Sequence, residues 1–122
     1  MEKELFDYVS QRANTLANAE TSTQVTKDAA TAWTCAVETD ESDSAVNAAT
    51  NKFLDTLEGR PTTIDGVIGF AKGPAKELMG EQAAADFLAM QEARKAEGAK
   101  YCNCEACTAA TELLAKFGRI EL

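Results

Sequence analysis

Apolar residues recur at intervals of three and four along nearly the whole chain, and that spacing restricts it to packed helices. Leu5, Tyr8, Val9, Ala13 and Leu16 share one face of a first segment, the i, i+3, i+4 pattern of an amphipathic helix. Val25, Ala29, Ala32, Trp33, Ala36 and Val37 line a second helix, and Val46, Ala49, Phe53, Leu54 and Leu57 a third. Thr21 and Gln24 outline a capping box ahead of the second. Ser42 and Asp43 offer caps for the third, which Gly59 ends and Pro61 cannot continue.

The second half follows the same rule. A short fourth helix starts at a Thr62 or Thr63 cap and carries Ile64, Val67, Ile68 and Ala71 on one stripe. Gly66 and Gly69 sit inside it, three apart, and would permit close approach of another backbone. Gly73-Pro74 is a break, followed by a turn or two of helix from Ala75 to Met79. A long helix from about Glu81 to Glu97 has Ala84, Phe87, Leu88 and Gln91 along one side, with Gly98 just beyond its end. The last helix turns Ala106, Ala110, Leu113, Leu114 and Phe117 inward. The chain has 2 prolines and no sustained alternation of the kind a strand needs. The expectation is all-α: one single-domain bundle of five to six helices spanning residues 1–122, with short connections.

Charge narrows the function. Twenty acids against 12 bases give a net charge of −8, and no basic stripe relieves it. Nucleic acid and anionic membrane surfaces would be repelled. No apolar run approaches the ~18 residues that span a bilayer, and the opening MEKELFDYVSQR lacks the apolar core of a secretory signal. A cytoplasmic location is the expectation, and thiols there stay reduced. The chain contains no histidine, which removes Cys₂His₂ zinc, Ser-His-Asp and Cys-His catalysis. Asp65-Gly66-Val67-Ile68-Gly69 lacks the order of a phosphate-binding loop. Asp40, Glu41 and Asp43 lack the order of a calcium loop and read as a solvated turn. Nothing beyond the thiols supplies a catalytic constellation, so the reading leans away from an enzyme.

The thiols are the chemistry-bearing feature. Three of 4 cysteines fall in Tyr101-Cys102-Asn103-Cys104-Glu105-Ala106-Cys107. Asn103 reads as the cap of the last helix and Glu105 as part of its first turn. On that register Cys104 and Cys107 share a face, Cys102 lies just before the helix, and the helix N-terminus favours thiolate. A metal site with Cys102, Cys104 and Cys107 as ligands is the first expectation, and zinc the simplest ion. It would pin the loop at Tyr101–Cys104 to the last helix, and cysteine-only ligation with no open position fits structural zinc. The fourth ligand is open: Cys35, water, a carboxylate such as Glu105, or a thiol of a second chain in a homodimer. For Cys35 itself a plain buried cysteine is the favoured reading.

Other readings stand beside this one. Cys104 and Cys107 form a CxxC at a helix start, the basis of a thiol redox sensor or relay. Cu(I) or an iron–sulfur cluster is a further use of such sulfurs, although a cluster wants four. The three cysteines as small apolar fillers are the plain alternative. Beyond these lies an interaction module, a bundle that binds an unknown protein partner through a groove.

The segments IDGVIGFAKGPAKELMG and EGAKYCNCEACTAATELL, with Trp33 as a weaker match, resemble a group of short bacterial proteins of unknown function. These share an IDG-containing helix and a GAKYCxCxxC ending. The resemblance covers residues 63–115. Some members carry a heat-shock chaperone label, which this sequence does not support: a chaperone ATPase needs a larger α/β fold and its own nucleotide motifs. The resemblance implies interest in Cys102, Cys104 and Cys107, and no activity.

Overall fold

The computed structural model describes residues 1–121. It contains seven helices among them: α1 (Lys3–Asn18), α2 (Gln24–Thr39), α3 (Asp43–Leu57), α4 (Ile64–Lys72), α5 (Pro74–Met79), α6 (Glu81–Ala96) and α7 (Glu105–Lys116). The all-α expectation holds, and the count of five to six is too low. Pro74 provides the reason. It stands at the first helical position of α5, where its missing N–H costs nothing, so the Gly73 break starts a separate helix.

Internal contacts gather the chain into two compact units, residues 1–61 with 103–121, and residues 62–102. In the first, α1 packs on α2 and α7, α2 on α3, and α3 on α7. The apolar faces meet in one core that includes Val9, Leu16, Trp33, Phe53, Leu57 and Leu113. The Trp33 indole N–H donates to Thr50 Oγ1 at 2.9 Å in this core, so its one polar group is satisfied. Two caps are those expected in kind: Ser42 Oγ accepts from the Ala45 N–H, and Thr63 Oγ1 from the Gly66 N–H. A third differs. α2 is capped by Thr23, which accepts from the Thr26 N–H at 3.2 Å, and Thr21 is left outside that helix. Arg119 follows α7 and donates to Asp55 of α3 and to Glu58 just beyond it at 2.5 and 3.0 Å, tying the segment after α7 to α3.

In the second unit α4, α5 and α6 pack on one another. Ile64, Val67 and Ile68 form its core, with Phe87, Leu88, Ala99 and Cys102 half-buried against them. Gln91 is fully buried, as its place on the α6 stripe implies, and its Oε1 accepts from Arg94 Nη1 at 2.7 Å. Gly66 and Gly69 do not admit a neighbouring backbone. Both are exposed. A Cβ at Gly66 would meet only the threonines of its own cap, and one at Gly69 would meet nothing within 4 Å.

The segment leaving α6 runs antiparallel to the residues ahead of α4. The Ile64 N–H donates to the Lys100 carbonyl at 2.9 Å, and the Cys102 N–H to the Thr62 carbonyl at 2.8 Å. Thr63 and Tyr101 pair between them. This short ladder fixes the backbone that carries the first thiol of the cluster.

Candidate metal centre

Each sulfur of the Cys102–Cys107 stretch is placed by a different local device. Cys102 is held by its hydrogen bond to Thr62, and its side chain packs among Ile64, Val67 and Ile68. Cys104 is the N-cap of α7, with extended backbone angles of −65° and 161°. Its Sγ accepts from the Cys107 N–H at 3.4 Å, and its carbonyl accepts from the Thr108 N–H at 2.9 Å. Cys107 lies in the first turn and is buried.

The cap is therefore Cys104, one residue later than the Asn103 that composition favours. Thr21 supplies the reason. Its hydroxyl accepts from the Ala106 N–H at 3.1 Å, which is the group that Asn103 would have bonded as third residue of a helix starting earlier. Two of the unpaired N–H groups at this helix start are thus taken, one by a sulfur and one by a hydroxyl 85 residues away. Sequence reasoning missed Thr21 in this role. The signal was present: TSTQ offers three hydroxyl side chains, and α2 needs one.

The three sulfurs lie within 4.8 Å of one another, close enough to hold a metal ion. Thiolates bound tetrahedrally at ~2.3 Å from zinc stand ~3.8 Å apart, so the triangle closes on an ion by movements of about 1 Å or less. The first turn of the helix directs a backbone N–H at one of the sulfurs, from Cys107 to Cys104 Sγ. Burial is graded across the stretch. Cys107 is buried, Cys102 and Cys104 are half-buried, and Asn103 and Glu105 are exposed.

Cys35 is placed elsewhere. It is exposed, not buried as expected. Trp33 and Val37, four apart, hold the inward face of α2, and a residue midway between them turns to the opposite side. Among the described residues α2 packs on α1 and α3 and not on α7, so Cys35 does not join the three sulfurs.

Two charged groups away from the thiols are held within the fold. Arg12 donates from Nε and Nη2 to Glu112 Oε2 at 3.1 and 2.6 Å, and its guanidinium lies 3.8 Å over the Tyr8 ring. Its charge is committed within the α1–α7 groove. Asp40 Oδ1 accepts from the Ser42 N–H at 3.0 Å. That bond holds the Asp40 carboxyl below the usual range, in the turn that sequence assigned to it. Among the described residues no helix is long and apolar enough to cross a membrane. No protein-family model, curated protein or solved structure matches the chain.

Proposed function

We propose that this protein binds one metal ion, zinc in the first instance, through Cys102, Cys104 and Cys107. The observation that carries the reading is the approach of three sulfurs to within 4.8 Å at the first turn of α7. Ligand chemistry supports zinc: three thiolates and no imidazole suit a borderline-soft, redox-inert dication. The ion would join the Tyr101–Cys104 segment to the first turn of α7, a role in structure with no catalytic step. Likeness to the bacterial GAKYCxCxxC proteins belongs to the same proposal, as does a reducing, cytoplasmic setting in which the thiols stay available.

The test is a zinc titration of the full chain against a chromophoric chelator, with a phosphine as reductant. One zinc per chain is expected for the native sequence. No competition with the chelator is expected for the variant carrying Cys102→Ser, Cys104→Ser and Cys107→Ser together. A native chain that competes no better than this variant would reject the reading.

A second reading has one observation of its own. The Cys107 N–H donates to Cys104 Sγ, and the two sulfurs are neighbours, so a reversible Cys104–Cys107 disulfide would make the pair a redox sensor. A midpoint potential in the cytosolic range, measured against a glutathione series, would favour it over the metal.

A further inference from the structure

Five large apolar side chains are exposed among the described residues, and 4 of them, Phe70, Leu78, Met79 and Met90, belong to residues 62–102. They are not scattered there. Phe70 of α4 meets Phe87 of α6 edge to face, with ring centres 6.4 Å apart. Ala83, Phe87 and Met90 share one face of α6 through their three- and four-residue spacing. Leu78 and Met79 end α5, just ahead of that face in the chain, and Leu78 is 75% exposed. The inward face of α6 is a different one, marked by the buried Ala84 and Gln91 and the half-buried Leu88. α6 is therefore apolar on two sides. The packing of α4, α5 and α6 on one another covers one of them, and an apolar stripe on a helix is ordinarily a packing face.

We propose that the face formed by Phe70, Phe87 and Met90, with Leu78 and Met79 beside it, joins the chain to a second copy of itself. Charge selects that occupant. Residues 62–102 carry 6 acids and 5 bases, a balance of −1, whereas the rest of the chain carries 14 acids and 7 bases, a balance of −7. Two copies therefore meet with least repulsion through this unit. Its exposed charges are also of both signs where α4 gives way to α5 and α6. Lys72 and Lys76 stand near Glu77 and Glu81 in the chain, all four exposed, and none forms an ion pair among the described residues. A two-fold contact sets one patch against the same patch, so a rim of both signs can pair the bases of one copy with the acids of the other. A face built for a strongly basic or acidic partner would carry one sign. Met79 and Met90 suit such a contact, because their flexible side chains fill irregular gaps. No thiol takes part, so the association stands apart from the metal reading.

Sedimentation equilibrium of the full chain tests this, with a phosphine and a chelator present so that neither a disulfide nor a metal joins two copies. A reversible monomer–dimer equilibrium is expected. Leu78→Glu and Met90→Lys should each weaken it by about 30-fold or more, the effect of losing a central apolar contact. Both side chains are exposed, so the helical circular dichroism of the variants should match the native chain. Val25→Lys, at the exposed apolar residue outside residues 62–102, should leave the equilibrium unchanged. A monomer at every concentration overturns the proposal and leaves the face to a different partner. A dimer that Leu78→Glu and Met90→Lys both leave intact overturns it, as does a dimer lost in Val25→Lys, because the contact then lies elsewhere. A dimer that forms only when metal is added or the phosphine is left out overturns it in favour of joining through the thiols.

Discussion

Serine in place of Cys104 should separate the folding of α7 from the chemistry of its first turn. Cys104 caps that helix through a sulfur that accepts from the Cys107 N–H at 3.4 Å. Thiol sulfur is a weak acceptor, and a hydroxyl at the same position is among the best caps. Cys104→Ser keeps the cap and strengthens it, whereas Cys104→Ala removes it. Losing a hydroxyl cap costs ~0.5–2 kcal/mol, so the two variants should lie about 1 kcal/mol apart with the native chain between them. At a urea dependence of ~1–3 kcal/mol per molar, the unfolding midpoints then differ by about 0.3–1 M. Zinc affinity moves differently, since both variants lose a ligand. Each should bind more than ~100-fold more weakly, beyond the cost of losing a residue that merely supports a ligand. Urea unfolding of the metal-free proteins by circular dichroism, paired with chelator competition, measures both quantities. A serine variant as unstable as the alanine variant would refute the capping argument. A serine variant with native zinc affinity would refute Cys104 as a ligand.

Three other changes follow from single contacts. Thr50→Val leaves the buried Trp33 N–H without its acceptor and should destabilise by ~1–3 kcal/mol, read by Trp33 fluorescence in urea; a change within error would show that the indole finds another partner. Thr21→Val should cost about 1 kcal/mol through the lost cap on the Ala106 N–H, and a change of that size should vanish in a chain where Ala106 is replaced by proline. The Asp40 carboxyl is lowered in the fold by the Ser42 N–H. Its contribution is therefore present above the ordinary value of about pH 4 and fades as pH falls through the lowered one. Asp40→Asn should flatten that part of the acid-unfolding curve, and an unchanged curve would rule the contribution out.

The helices were legible because burial follows sequence period at most positions, although Val25, Ala32 and Ala36, placed on the α2 stripe, are exposed. Val9, Leu16, Trp33, Phe53, Leu57 and Leu113 were all placed inward by spacing alone and all are buried. Even Gln91, polar but on the stripe, is fully buried. Details decided by a distant partner were not legible. Asn103 is the better cap by composition, yet Thr21 had already taken the N–H it needed. The Thr62–Cys102 pairing is too short to leave an alternating pattern, although it positions Cys102. Cys35 was expected in the core on residue type, and helical phase overrules type there because Trp33 and Val37 already define the inward face. The three thiols of the candidate centre were legible from spacing. Whether the chain supplies a fourth donor depends on which helices pack together, which spacing does not encode.

The most direct measurement is a count of reactive thiols on protein purified without chelator, together with its metal content by elemental analysis. The account predicts close to one zinc per chain and one reactive thiol, the exposed Cys35, rising to all 4 cysteines once the metal is stripped. A chain that carries no metal while Cys102, Cys104 and Cys107 react before any chelator is added would contradict it.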